Sequence, residues 1–185
     1  MDRNTFGKFC FKLFVRVFFL DCCCFIMCAF AINKSSNLIR ILLQLACIIG
    51  TIAFIYPICH KQGDIDAPLI KAGHRKGSAL KGLYAGLISC SGYIISGLVL
   101  LFARIFDFLP TFLNYYKIIN SFFFPFLHSI MPTDYTLNDL STANMIMGLL
   151  VQLFIPVICM LAYLLGRERF LFKEIIFYKA KTDED

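Results

Sequence analysis

Two histidines and two aspartates lie close together in one polar segment of the chain. They are His60, Asp64, Asp66 and His74, within the sequence HKQGDIDAPLIKAGHRKGSALKG at positions 60–82. These residue types bind metal ions or transfer protons. Their spacing matches no zinc, phosphate-loop or nucleophile motif. We therefore predict no catalytic residue, no metal ion and no cofactor, and keep the four side chains as a candidate polar cluster.

Apolar residues surround this segment and indicate which elements position it. They make up 59% of the 185 residues, and charged residues make up 16%, whereas a soluble domain typically has about 45–50% and about 25%. A helix needs roughly 20 mostly apolar residues to span a bilayer, and the chain has four such blocks. We expect an all-α fold, a single polytopic membrane domain with four transmembrane helices. The expected boundaries are about 14–32, 39–59, 83–105 and 143–165 for the helices, 60–82 for a loop, 106–140 for an aromatic-rich outer segment and 166–185 for an amphipathic tail.

The basic residues predict how these helices are oriented. Lysine and arginine collect on the cytoplasmic side of membrane proteins. Fourteen of the eighteen lie in the N-terminal lead, the 60–82 loop and the C-terminal tail. This asymmetry predicts a multi-pass protein of the plasma membrane with both termini in the cytoplasm. The loop and the tail are then expected to contact the anionic inner leaflet, which accounts for the net charge of +6 without a nucleic-acid partner.

The first apolar block has two interpretations. Its basic start and the small residues Ala29 and Ala31 resemble a cleaved signal peptide. However, the basic lead is sixteen residues long and Asp21 interrupts the apolar part, which favours a retained helix. In both cases the second helix begins outside the cell, so the rest of the predicted topology is the same.

Among the polar side chains inside the predicted spans, Asp21, Gln44 and Gln152 are the candidates for a functional role. An ionisable group within a span is a candidate functional residue. Asp21 follows Val17 by four residues, roughly 6 Å along a helix. We therefore predict an interfacial acid at the cytoplasmic end of the first span, with a proton or ion site as the alternative. Pro156 frees the carbonyl of Gln152 and predicts a kink in the last span.

Small residues form one face of the predicted third helix. Gly82, Gly86 and Gly97 recur at helical spacing, and such residues let two helix backbones approach closely. We predict that this face packs within the monomer, with a homodimer contact as the alternative.

The aromatic segment between the third and fourth helices is apolar enough to suggest a fifth span. Pro110, Asn114, Lys117, Asn120 and Pro125 argue against one, because each of them breaks the helix or adds polarity to it. We instead predict short helices that lie on the outer leaflet or dip into it. Further along, Asp139 or Ser141 is placed to cap the last helix.

Two runs carry a resemblance to a group of bacterial proteins. They are GDIDAPLIKAGHRKGSALKGLYAGLIS, at 63–89, and IPVICMLAYLLGRERFLFKEIIFYKAK, at 155–181. A G-D-x-D segment followed by K-G before a helix, and I-P…A-Y-x-x-G before a basic tail, resemble small uncharacterised membrane proteins of anaerobic Gram-positive bacteria. The resemblance covers about half of the chain. It implies a bacterial plasma membrane and four helices, and it implies no activity.

Three functions agree with these features. The first is a non-catalytic accessory or interaction subunit, binding a membrane-protein partner or a second copy of itself. The second is a subunit of a small transporter or channel, working as an oligomer around Asp21, Gln44, Gln152 and the Pro156 kink. The third is a lipid-headgroup enzyme using the 60–82 loop at the membrane surface. The absence of a site motif favours the first and makes an enzyme the weaker expectation.

Overall fold

The structure is a computed structural model that describes residues 3–31, 37–74, 77–78, 80–132 and 136–182. Across these residues the chain consists of helices joined by turns and has no strand, which confirms the predicted all-α class. Short 3-10 turns separate α5 from α6 and α7 from α8. The α-helices of this part are α1 (Arg3–Ala31), α2 (Asn37–Lys71), α3 (Lys81–Ser89), α4 (Ser91–Ile105), α5 (Phe112–Ile119), α6 (Phe124–Ile130), α7 (Thr142–Leu150) and α8 (Phe154–Thr182).

Two stretches of described helix are long and apolar enough to cross a membrane, Leu38–Lys71 and Thr142–Glu168. The pair α3 and α4 adds a third if its two parts form one span. These helices support a membrane protein with two or three spanning elements. The first predicted span, at about 14–32, falls in α1, which carries Lys8, Lys12, Arg16 and Asp21 along its length.

The second helix is longer than its sequence suggests. The sequence predicted a helix at about 39–59 and a loop from residue 60, but α2 continues through Pro57 and Pro68 to Lys71. The expectation of a loop is therefore corrected for residues 60–71. The reason is packing against α8: a Cβ at Gly63 would lie 2.2 Å from the carbonyl oxygen of Tyr163, and one at Gly166 would lie 2.0 Å from that of His60. Such close packing stabilises helix that proline alone would interrupt.

The predicted third helix is bent rather than continuous. Its two parts, α3 and α4, meet at Cys90 at an angle of 64°. The glycine face is covered by the chain itself. A Cβ at Gly82 would lie 2.5 Å from the Cys159 carbonyl oxygen, and one at Gly86 would lie 2.7 Å from Pro156 Cα. These glycines therefore provide close intramolecular contact with α8.

The aromatic segment forms a broken helical hairpin. α5 packs against α4, α6 packs against α2, and the turn Ser121–Phe123 between them contacts α1 and α2. Tyr116, Phe122 and Phe123 are buried in the protein, so these three aromatic side chains pack against other helices. Lys117 is also buried, and its Nζ donates to the Met131 carbonyl oxygen at 2.8 Å. The hairpin enters the helix bundle because tertiary contacts satisfy the polar groups of its turn.

The connection between α6 and α7 is held by hydrogen bonds. Ser141 caps α7, since its Oγ accepts from the Asn144 backbone N–H at 3.2 Å. The Thr136 hydroxyl and backbone N–H both donate to Asp139 Oδ2, at 2.7 and 2.8 Å, and they hold the pKa of that carboxyl below its usual value. Asp139 therefore stabilises the turn, and Ser141 is the capping residue.

Candidate polar site at the helix breaks

Three interruptions of the helices lie next to one another. The first is the bend at Cys90, the second is the turn of the hairpin at 120–123, and the third is the 3-10 turn Val151–Leu153, which precedes Pro156. Each interruption leaves backbone groups without their helical partners. In an apolar environment such groups need partners within the protein, and side chains from neighbouring elements provide them here.

Gln152 and Tyr116 donate hydrogen bonds to backbone carbonyl groups of α4 and α7. Gln152 Nε2 donates to the Tyr93 carbonyl oxygen at 2.7 Å and to the Tyr116 hydroxyl oxygen at 3.3 Å. The Tyr116 hydroxyl in turn donates to the Gly148 carbonyl oxygen at 2.6 Å. A Cβ at Gly97 would lie 2.5 Å from Gln152 Oε1, so a larger residue there would displace the end of this side chain. The amide therefore links α4, α5 and the last span.

Asn120 and Ser96 extend this network to the turn of the hairpin. Asn120 Nδ2 donates to Ser96 Oγ at 3.2 Å and to the Tyr116 carbonyl oxygen at 2.9 Å. Ser96 Oγ donates to the Tyr93 carbonyl oxygen at 2.6 Å. Ser96 precedes Ile105, the last residue of α4, by nine residues, which is roughly 13 Å along a helix. The turn therefore lies deep along α4, well away from its end.

Gln44 fastens the same turn to α2. Its Nε2 donates to the Phe122 carbonyl oxygen at 3.1 Å, and its Oε1 accepts from the Phe126 backbone N–H at 3.1 Å. Both ends of the amide are thus engaged with the hairpin. Helix α2 is long and packs against α8. This pair of hydrogen bonds therefore attaches the turn to a well-packed helix.

Asp21 faces the other side of the turn. The backbone N–H groups of Ser121 and Phe122 and the Tyr93 hydroxyl approach its carboxylate. Its Oδ1 is nevertheless buried and accepts no hydrogen bond from any described residue. A cleft of about 530 Å³ opens beside it, between α1 and the hairpin, with mainly apolar walls that include Phe14 and Ile118.

Asp21 was predicted to be an interfacial acid at the cytoplasmic end of a span, and the structure shows that the helix around it is longer than the apolar block. That prediction took Val17 as the start of the span, whereas α1 begins at Arg3, eighteen residues before Asp21. This separation is roughly 27 Å along the helix. Asp21 therefore lies well inside α1, at the level of the hairpin turn.

The structure brings the three predicted intramembrane polar residues together. Asp21 and Gln44 contact the hairpin turn, while Gln152 reaches it through Tyr116 and Asn120. Sequence reasoning missed Tyr93, Ser96 and Tyr116 as members of the network and treated Asn120 only as a helix breaker. Polar residues that recur inside apolar segments were the available signal.

The space enclosed by the network is small. A cavity of about 10 Å³ lies between Tyr93, Asn120, Phe122 and Gln152, which is at the lower limit for one water molecule. The centre of the network is thus packed, and larger spaces lie beside it: a cavity of about 590 Å³ next to Gln44 and the cleft next to Asp21. An ion or a proton that reached the carboxylate would approach it through this cleft.

The polar cluster predicted at 60–82 is divided in the structure. His60 Nδ1 lies 3.4 Å from Asp64 Oδ2, one helical turn away on α2. Asp66 instead contacts Lys81 and Tyr163. His74 lines a cavity together with Asp66, and neither His60 nor Asp64 lines it. The four residues therefore do not form one site, because helical geometry directs positions 60 and 64 away from position 66.

The described residues contain no group of three or more histidine, cysteine, aspartate or glutamate side chains arranged to hold a metal ion. Comparisons with protein-family models, with curated proteins and with solved structures each return no match. The resemblance to bacterial membrane proteins at 63–89 and 155–181 accordingly stays a prediction. The site must be interpreted from its own geometry.

Proposed function

We propose that this chain is a subunit of a small transporter or channel that moves protons or a small cation past Asp21. The observation that carries this proposal is the Asp21 carboxylate. It lies well inside a helix, its Oδ1 is buried without a hydrogen-bond partner among the described residues, and it borders an open cleft. A carboxylate in such a place is costly in a membrane and is usually retained for function.

The surrounding helices agree with this function. Transporters often place their ion sites where discontinuous helices meet near the middle of the bilayer. Irregular backbone is tolerated there when protein surrounds it or when it lines a cavity. The hairpin turn and the 3-10 turn before Pro156 have this character, and both belong to the network that adjoins Asp21. Phe122 connects the two sides, since its N–H approaches Asp21 and its carbonyl accepts from Gln44.

The chemistry of the cleft limits what could move. The Asp21 carboxylate and the Tyr93 hydroxyl lie among mainly apolar walls, which suits a proton or a small cation better than a large polar solute. Phe14, Phe18 and Phe25 line this cleft and are exposed. A single chain therefore leaves the cleft open at its side. We propose that a second copy or a partner membrane protein closes it.

Replacing Asp21 with asparagine tests this function. The amide keeps the size of the side chain and removes its charge, so we expect proton or cation flux into proteoliposomes to fall by about a hundredfold, the effect of losing one proton-transfer group at the low end of its usual range. Asp64→Asn is the matched control, because Asp64 is a partly exposed acid on α2 outside the cleft. Equal flux for wild type and Asp21→Asn would overturn the proposal.

The other two functions predict different results. An accessory subunit predicts flux only after the partner is added, or no flux together with a stable complex in mild detergent. A headgroup enzyme predicts turnover that depends on the 60–82 segment, and it has less geometric support because His60 and Asp64 lie apart from the cavity bordered by Asp66 and His74.

We also propose the full topology: four spans in a plasma membrane, with α1, α2, the bent pair α3 and α4, and α7 followed by α8 as the crossing elements. Both termini are cytoplasmic. We expect a fluorescent protein fused after residue 185 to fluoresce, and alkaline phosphatase fused near residue 109 to be active, because the first marker works only inside and the second only outside. The opposite pattern would overturn the orientation derived from the basic residues.

A further inference from the structure

A second cavity lies at the other end of the bundle, away from Asp21. Its volume is about 720 Å³, within the range of small-molecule sites. It is bounded by the start of α1, the end of α2 and the start of α3, together with α8. Its walls combine polar side chains with apolar ones: Asp66, His74, Ser78, Lys81 and Tyr163, and then Phe6, Ile70, Tyr84 and Ile88.

The acid in this cavity is fully engaged by the protein. Asp66 is 1% exposed. Its Oδ1 accepts from Gln62 Nε2 at 3.1 Å, and its Oδ2 accepts from the Tyr163 hydroxyl at 2.9 Å and pairs with Lys81 Nζ. The lysine is less restricted, since an ammonium has three N–H donors and only one of them is needed for Asp66. A ligand in the cavity therefore meets the cation rather than the carboxylate.

One face of helix α3 lines the cavity. Lys81, Tyr84 and Ile88 follow one another at three and four residues, so they share one face of the helix. The opposite face carries Gly82 and Gly86, which pack against α8. Tyr84 is 52% exposed and Ile88 is 53% exposed. From the ammonium to Ile88 the cavity face is roughly 10 Å long, and it changes from cationic to apolar.

We propose that this cavity binds one anionic phospholipid molecule. The headgroup phosphate contacts Lys81, with His74 and Ser78 as polar neighbours, and one acyl chain lies along Tyr84 and Ile88. An ammonium beside a helix N-terminus suits a phosphate, and the apolar continuation suits a chain rather than a soluble anion. This site does not depend on the transport proposal, because it lies away from Asp21 and shares no residue with the cleft.

The test measures binding of short-chain phosphatidylglycerol to the purified full-length protein in detergent by native mass spectrometry. We expect one molecule per chain, and weaker binding of short-chain phosphatidylcholine. The double variant Lys81→Gln with Asp66→Asn removes both charges, so no buried carboxylate is left unpaired. It is expected to bind phosphatidylglycerol about tenfold more weakly or worse, the loss of one charge-assisted contact. Lys61→Gln is the matched control because Lys61 lies outside this cavity.

Two further variants distinguish loss of the ligand contact from loss of the fold, and a phospholipid ligand from free phosphate. Lys81→Arg retains the cation and should retain binding, which separates loss of the ligand contact from loss of the fold. Ile88→Trp fills the apolar part and should weaken phosphatidylglycerol binding while leaving inorganic phosphate binding unchanged. The proposal is overturned if phosphatidylcholine binds as well as phosphatidylglycerol, or if the double variant binds phosphatidylglycerol as wild type does. It is also overturned if inorganic phosphate competes fully with phosphatidylglycerol and Ile88→Trp has no effect on binding. That last result would identify free phosphate as the ligand.

Discussion

Alanine at Gly63 or at Gly166 is expected to lower the free energy of unfolding by at least about 1–3 kcal/mol, the usual cost of overpacking a closed core. The added Cβ at Gly63 would lie 2.2 Å from the Tyr163 carbonyl oxygen. At Gly166 it would lie 2.0 Å from the His60 carbonyl oxygen. Both contacts are with backbone, which cannot move aside as a flexible side chain can. The crossing of α2 and α8 would have to open along its length.

The measurement is the unfolding midpoint in detergent, together with the monomer peak in size-exclusion chromatography. Gly7→Ala and Gly92→Ala are the matched controls, because both glycines lie in helices and nothing lies within 4 Å of the added Cβ. These changes should leave the midpoint unchanged or raise it slightly, since alanine is a better helix former by about 1 kcal/mol. Equal midpoints for all four variants would show that α2 and α8 do not cross at these glycines.

Lys81→Met is expected to cost about 3–5 kcal/mol of unfolding free energy, because it leaves Asp66 buried without its cation. Asp66 is 1% exposed, so its carboxylate has little contact with water to compensate for the lost ammonium. The Tyr163 hydroxyl and Gln62 Nε2 would still donate to the carboxylate, but neither of them carries a positive charge. The pair joins the end of α2 to the start of α3, and its loss should loosen both.

A second change on the same pair makes this result specific. Adding Asp66→Asn to Lys81→Met removes the buried charge and should recover most of the lost stability, since an amide costs far less to bury than an unpaired carboxylate. Lys61→Met removes an exposed lysine of α2 and should change the unfolding midpoint little. If the double variant were as unstable as Lys81→Met alone, the lysine would act through packing of its aliphatic stem instead of through its charge.

Periodicity and local preferences were enough to predict several elements of this fold. The apolar blocks predicted helices and membrane spans, and two or three of these helices are apolar and long enough to cross a bilayer. The glycine spacing predicted a close helix contact, and Gly82 and Gly86 meet α8. Ser141 caps α7 as its residue type suggested. These features depend on residues that are close together along the chain, so they can be predicted from short stretches of sequence.

The errors arose where distant residues decide the structure. Pro57 favours a helix end locally, yet packing against α8 carries α2 on to Lys71. The polar segment at 60–82 was treated as one loop with one cluster, and helical geometry divides it. None of these outcomes is visible in a window of a few residues.

The amino-acid sequence by itself determined that the chain is helical and that two or three of its helices are apolar enough to span a membrane. It also determined that some helices are interrupted at prolines and polar residues. Only the tertiary structure decided that the hairpin turn enters the bundle, with Asp21 and Gln44 against it and Gln152 linked to it through Asn120 and Tyr116. It also decided that Asp66 pairs with Lys81, fifteen residues away. The physical reason is that buried polar groups must find partners, and in a folded helix bundle those partners are set by spatial neighbours rather than by neighbours along the chain.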